Sequence, residues 1–181
     1  MLRNILVVII NPKVGWQYID DSANSTQRVL SSVFFPLLAI LALACFVPMI
    51  YDSATNTLSH TLMEAIVWFS KFMLTFYLCS YLLLGFYPQF NRSQITQAKL
   101  NNYIIYNLSF LIILSILIKL LNGEFSPLYF LFLYMPYIAF RGSEYLFLEK
   151  GKKIKFVTIS SIMMLAFPFI IEYILDSLIM R

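Results

Sequence analysis

Ionisable side chains that stand inside long apolar stretches are the residues of this sequence most able to do chemistry. A charge within a bilayer costs about 2.5–3.5 kcal/mol even on the lenient insertion scale, so it needs a partner or a wet cavity. Two pairs stand out, Arg141 with Glu144 and Lys71 with Glu172. Each pair has a structural interpretation and a functional one.

Arg141 and Glu144 are three residues apart and share one face of a predicted helix with Tyr137. The two charges could simply neutralise each other. Alternatively, the Arg141 guanidinium could clamp a lipid phosphate or another anion, because its fork of N–H donors matches phosphate oxygens. We therefore predict a possible anion, lipid or partner site at these three residues.

Lys71 and Glu172 lie at similar expected depths in two different stretches, so a salt bridge between helices is the leading interpretation. The alternative is a proton or ion relay that also uses Glu64, although apolar residues interrupt a continuous polar path. Lys119, near the end of its own stretch, is expected to snorkel to the surface.

Signatures of enzymes are absent from the sequence. His60 is the single histidine, and the two cysteines, Cys45 and Cys79, are expected to be small buried hydrophobic residues. No metal-ligand motif, phosphate-binding glycine loop or flanked nucleophile occurs. The prediction is a protein that is not an enzyme, with no catalytic residue, no metal and no cofactor.

The stretches that position these residues are long enough to cross a bilayer. The chain has 181 residues, of which 60% are hydrophobic and 12% charged, against about 25% charged in soluble domains. The predicted fold class is all-α, a polytopic membrane helical bundle of about five transmembrane helices. Their expected bounds are 29–51, 62–86, 101–121, 127–148 and 156–178. Short connections predict that neighbouring helices pack antiparallel in one domain, 29–181.

The first 28 residues are too apolar for a solvated tail and too short to cross. We predict an N-terminal interfacial segment, 1–28, in which Trp16 and Tyr18 anchor the chain at headgroup level. The alternative is an apolar lid packed on the cytoplasmic end of the bundle.

Lys and Arg residues outside the apolar stretches fall mostly on one predicted side, which the positive-inside rule makes cytoplasmic. The N-terminus is then cytoplasmic and the C-terminus outside. The net charge of +4 is thereby explained as a topology signal, and no nucleic acid partner is predicted. A basic turn before the last stretch contains Lys150, Lys152, Lys153 and Lys155. It is predicted to be a topology anchor, with anionic lipid headgroups as its alternative ligand.

The order of several features resembles the bacterial branch of the Yip family, the Ypt-interacting protein domain. These features are Asn11 and Pro12 followed by Trp16, the run FFPLLAILAL around Pro36, the polar stretch NRSQITQAKLNNYIIYNLS, and the basic turn KGKKIKF. The resemblance implies a small five-span membrane protein without enzymatic activity, and it carries over no catalytic residue. Small GTPases engage a cytoplasmic N-terminal region in eukaryotic members, whereas this chain has only a short one.

The function predicted from these features is a scaffold or accessory subunit of a membrane transport or envelope complex. It would sit in the bacterial cytoplasmic (inner) membrane and bind another membrane protein as well as the lipid bilayer. Two alternatives stay open. One is a small transporter or permease component that uses the intramembrane charges, and the other is a lipid-binding or bilayer-shaping protein.

Overall fold

The computed structural model describes residues 2–22, 24–51, 57–90, 96–121, 127–149 and 151–179. These residues are almost entirely helical and contain no strand, which confirms the all-α fold class. The described α-helices are α1 (Leu2–Ile10), α2 (Pro12–Ser22), α3 (Thr26–Val29), α4 (Phe35–Ala44), α5 (Val47–Tyr51), α6 (Leu58–Phe86), α7 (Gln97–Leu120), α8 (Met135–Gly142) and α9 (Lys153–Ile179).

Among the described residues, four helical stretches are long and apolar enough to cross a membrane. They are Thr26–Ile50, Leu58–Gln89, Gln97–Leu120 and Lys153–Leu178. The first combines α3, α4, α5 and a π-helix, Leu30–Phe34, whereas the others are dominated by single helices. The architecture is compatible with an integral membrane protein.

The predicted span 127–148 differs from the single helix that its composition suggested. It consists of a 3-10 helix (Pro127–Tyr134), then α8, then a second 3-10 helix (Ser143–Leu146). Pro136 lies in the first turn of α8, where its missing N–H and fixed φ suit a helix start but not a helix interior. The segment ends at Phe147, whose φ of 52° is left-handed.

This irregular segment nevertheless runs antiparallel along α7. The ring of Tyr134 lies 5.9 Å from that of Phe110, and Gly142 lies against Tyr103 seven residues earlier in α7. Laid end to end, the three short helices are about 35 Å long, against about 30 Å for the hydrocarbon core of a bilayer. The segment is therefore long enough to serve as the fifth crossing.

Helix α7 is the centre of the bundle. Every residue from Leu100 to Ile112 is buried, including polar residues that would be costly against lipid. The side chains of Asn107, Ser109 and Ser115 satisfy donors by bonding carbonyls one turn back in the same helix, at 2.7–2.9 Å. Burial inside protein, not hydropathy alone, explains how α7 carries them.

The two ends of the bundle differ in charge, and we call them the basic end and the far end. The basic end carries Lys99, Lys152 and Lys153 together with α2, whereas the far end carries Glu64 and Lys119. Helices α6 and α9 run antiparallel between these ends. The ring of Tyr87 lies 6.2 Å from that of Phe156 at the basic end.

Prolines remove a helical hydrogen bond from each of two long stretches. Pro36 lies two residues after the end of the π-helix, and the N–H of Phe35 bonds the carbonyl of Leu30, five residues back. Since Pro36 cannot donate to its own i−4 carbonyl, the wider turn takes up the mismatch. Pro168 lies inside α9, where it frees the carbonyl of Met164 from its helical bond.

Candidate functional site

A charge cluster surrounds Trp68 near the far end. The Nζ of Lys71 lies 3.0 Å from the Oε2 of Glu172, and Lys119 forms an ion pair with Glu64. Both ammonium groups also lie over the indole of Trp68, with Nζ to ring centroid distances of 2.9 Å for Lys71 and 4.7 Å for Lys119. Cation–π attraction thus joins two ion pairs, of net charge zero, into one cluster.

The structure brings together Lys71 and Glu172, the pair expected from their depths. Lys71 is enclosed, with 4% of its side chain exposed, whereas 24% of the Glu172 side chain is exposed. Lys119, which is predicted to snorkel, has Glu64 of antiparallel α6 as its partner. Its ammonium is therefore engaged by a carboxylate on the neighbouring helix.

An ion relay through Glu64, Lys71 and Glu172 requires polar groups that continue beyond the cluster. Two hydroxyls close to Lys71 belong to Thr75, one turn away, and to Ser115, across a shared cavity. Both donate to carbonyls of their own helices, at 2.7 and 2.9 Å. These two hydroxyls are therefore bonded within their own helices and do not extend a polar path from Lys71 along the bundle.

A cavity of about 150 Å³ lies beside the Lys71–Glu172 pair. It is bounded by α6, α7, α9 and the first 3-10 helix, and its walls are mainly aromatic and aliphatic. Besides the ion pair, its lining residues include Trp68, Tyr129, Phe132, Leu165, Pro168 and Phe169. Sequence reasoning missed this cavity, because its walls come from four segments that share no motif.

Trp16 corrects the prediction of an interfacial anchor. Its side chain is buried, with 3% exposed, and its indole N–H donates to the carbonyl of Ile138 at 3.0 Å. The indole rests on Gly142, where an added Cβ would come within 2.5 Å of the ring. A recess made by a glycine far along the chain thus encloses Trp16, so that its ring contacts protein instead of headgroups.

The rest of the N-terminal segment packs partly on the bundle, and the two faces of α1 differ in burial. Ile5 and Val8 of α1 are buried, as in a lid packed on the bundle. Leu6 and Ile10 of the same helix are exposed, and so is Tyr18 of α2. Helices α1 and α2 therefore form a lid with an outward apolar side, and Tyr18 keeps its interfacial role as a prediction.

A second cavity, of about 200 Å³, lies under this lid at the basic end. Lys99 of α7 pairs with Asp20 of α2 at 2.6 Å, and Asn102 donates from Nδ2 to the carbonyl of Asn24 at 2.8 Å. All four residues line the cavity. These bonds fasten the lid to the start of α7.

Arg141, Glu144 and Tyr137 come together as their spacing suggested. The Nη1 of Arg141 lies 3.4 Å from the Oε1 of Glu144, and its guanidinium lies 5.5 Å from the centre of the Tyr137 ring. Lys153 also approaches the same carboxylate oxygen, at 3.2 Å. Two cations therefore share one carboxylate, which leaves the group with a net positive charge.

The basic turn is tied to the bundle at two of its four lysines. Lys152 donates to the carbonyl of Gln89 at 3.0 Å and pairs with Glu149 at 2.7 Å, while Lys153 pairs as described above. Lys155 is exposed. Lys150 lies outside the described residues.

Within the described ranges, no group of three or more His, Cys, Asp or Glu side chains is placed to hold a metal ion. Cys45 and Cys79 are both buried and free. The two cavities and the two charge clusters are therefore the features from which a function can be argued.

Comparisons with protein-family models, with curated proteins and with solved structures find no match to this chain. The assignment to the Yip family stays a prediction from the sequence, and the function must be argued from the geometry of the bundle.

Proposed function

We propose that this chain is a non-enzymatic integral membrane protein that acts as a scaffold or accessory subunit of a membrane transport or envelope complex. In this proposal it is a bacterial inner-membrane relative of the Yip family. Its basic end faces the cytoplasm, so that the N-terminus is inside and the C-terminus outside.

The observation that carries this proposal is the pairing of the buried charges. The Lys71–Glu172 and Lys119–Glu64 pairs join α6 to α9 and α6 to α7. Charges used in this way hold helices in register, which suits a rigid scaffold better than a carrier that must move ions through the bundle.

The outward face of α6 offers a surface for a partner. Tyr77 and Tyr81 lie one helical turn apart on that face, with 57% and 78% of their surfaces exposed. Tyr81 is about 12 Å along the helical stretch from Gln89 and Tyr77 about 18 Å, which places the Tyr77 hydroxyl within the hydrocarbon depth. A hydroxyl there gains by bonding a polar group, which a helix of another membrane protein would supply.

The test is co-purification of the tagged chain, expressed at its native level, in a mild detergent. We expect one defined membrane protein to be recovered with it. The double variant Tyr77→Phe/Tyr81→Phe should lower that recovery several-fold, because both hydroxyls are lost while the ring area stays. The matched control is Tyr173→Phe, on the outward face of α9, which should leave recovery unchanged. Recovery of the free chain alone would contradict the proposal.

A second candidate function, binding of anionic lipid, is favoured by the Arg141 group and by the outward side of the lid. The group carries one cation more than it has carboxylates, and Leu6 and Ile10 are exposed on α1. Native mass spectrometry after mild delipidation should then retain an anionic lipid. Arg141→Gln should reduce that retention, whereas equal retention of zwitterionic lipid would exclude the idea.

A further inference from the structure

We propose that the cavity beside the Lys71–Glu172 pair, called here the far-end cavity, binds a small lipophilic ammonium ion. Such an ion is a protonated amine on an apolar body about the size of benzene. The inference goes beyond the scaffold role and does not depend on it. It rests on the size of the cavity, on the exposure of the Glu172 carboxylate in its lining and on its position beside the bilayer.

The size of the cavity sets the body of the ligand. At about 150 Å³ it matches the volume at which apolar protein cavities accept a single benzene ring. Its walls are aromatic and aliphatic side chains, among them Tyr129, Phe132 and Phe169. An apolar ring therefore fits, while a lipid headgroup is too large and too polar.

Of the two paired charges that line the cavity, the carboxylate is the more exposed. Lys71 is covered, because its ammonium lies 2.9 Å from the centre of the Trp68 ring and 4% of its side chain is exposed. The Glu172 side chain is six times more exposed, and a second carboxylate, that of Asp176, lies one turn further along α9, outside the lining of the cavity. An incoming ion thus meets a carboxylate first, and aromatic walls favour a cation further.

The route of entry is lateral. Phe169 lines the cavity and is itself exposed, so the wall that it forms faces outward from the bundle. Its ring lies 6.4 Å from that of Phe132, which links α9 to the first 3-10 helix. Pro168 has no N–H to donate, so one helical hydrogen bond of α9 is missing at this point. A ligand dissolved in the bilayer would pass between these two rings.

The experiment uses the full chain in liposomes and a photoreactive benzylammonium carrying a diazirine. After illumination, peptide mapping should place the label on residues 127–134 or on α9 near Glu172. Unlabelled benzylammonium should compete with the probe. Benzyl alcohol and benzoate, which have the same ring without the positive charge, should compete at least tenfold less well.

Two variants test separately the Glu172 carboxylate and the free volume of the cavity. Glu172→Gln should lower labelling about tenfold, since a charge-assisted hydrogen bond is lost. Leu165→Trp fills the cavity and leaves the ion pair in place, so it should also abolish labelling even if the first variant folds poorly. Asp20→Asn removes a paired carboxylate at the basic end and serves as the control, with labelling unchanged.

Three results would overturn the proposal. Equal competition by benzyl alcohol or benzoate would remove the role of charge. Unchanged labelling of folded Leu165→Trp would place the ligand outside the cavity. Labels confined to the basic end or to lipid would show that the probe reports partition into the bilayer only.

Discussion

The two tryptophans of the chain are held by opposite means at opposite ends of the bundle. Trp16 fits a recess over Gly142 and gives its N–H to a backbone carbonyl. Trp68 is half-buried between two ammonium groups, each of which has its own carboxylate. Shape holds the tryptophan at the basic end, whereas charge holds the tryptophan at the far end.

This difference determines how each end should respond to substitution. A fitted recess tolerates neither a smaller nor a larger side chain, because it is packed on all sides. A charge pair tolerates the loss of both members far better than the loss of one, because a lone buried charge has no compensation. Four variants test this contrast, in order of decreasing effect.

Trp16→Ala should have the largest effect, a loss of about 4 kcal/mol in the free energy of unfolding in detergent. It removes a buried indole and leaves the Ile138 carbonyl without its donor. Denaturant titration in detergent, followed by helical circular dichroism, would measure it. Tyr18→Ala is the matched control on the same helix, since Tyr18 is exposed. Similar losses from both variants would show that Trp16 is an interfacial anchor after all.

Glu172→Gln should cost about 3 kcal/mol, because it leaves the enclosed Lys71 ammonium without a carboxylate. The double variant Lys71→Met/Glu172→Gln should recover most of this loss, since neither charge remains. The same titration measures both. If the double variant were as unstable as the sum of the two single variants, charge would not be what fixes the far end.

Gly142→Ala should cost about 2 kcal/mol, since the new methyl group would meet the Trp16 ring at 2.5 Å. The control is Gly85→Ala in α6, where an added Cβ meets nothing within 4 Å and helix propensity should improve. The melting temperatures should therefore move in opposite directions. A neutral Gly142→Ala would mean that the recess is not tightly fitted.

Glu64→Gln should have the smallest effect, about 1 kcal/mol. Its pair with Lys119 is roughly one-fifth exposed on both sides, so Lys119 can regain solvent or headgroup contact by extending outward. Thermal unfolding of this variant beside Glu172→Gln gives the comparison directly. Loss of stability as large as that of Glu172→Gln would show that the two pairs are equally buried.

Much of the fold could be predicted from the sequence, because hydropathy and length alone identify membrane-length helices. Depth along two such helices was enough to pair Lys71 with Glu172. The same reasoning missed the pair of Lys119 with Glu64, because it weighed the nearby surface and not the neighbouring helix. Local composition also could not show that Pro127–Tyr134 winds as a 3-10 helix, which depends on packing against α7 and on the proline that follows.

Trp16 and the cavities lay beyond sequence reasoning for a related reason. The preference of tryptophan for headgroups is a property of the residue, while its burial here depends on Gly142 and Ile138, more than 120 residues later. The far-end cavity needs four segments, one of which contains Pro168 inside its helix. Tertiary recesses of this kind have no local signature.

The Lys71–Glu172 pair has a consequence for the order in which the chain is made. About 100 residues separate the two side chains. At a translation rate of about 5–20 residues per second, Lys71 is therefore made about 5–20 seconds before its carboxylate partner. During that time α6, the least apolar of the four long stretches, carries an unpaired ammonium into the insertion machinery. We expect a chain truncated before α9 to insert α6 less completely than the full chain, which glycosylation mapping would detect. Correct insertion of an early helix would then depend on the last one.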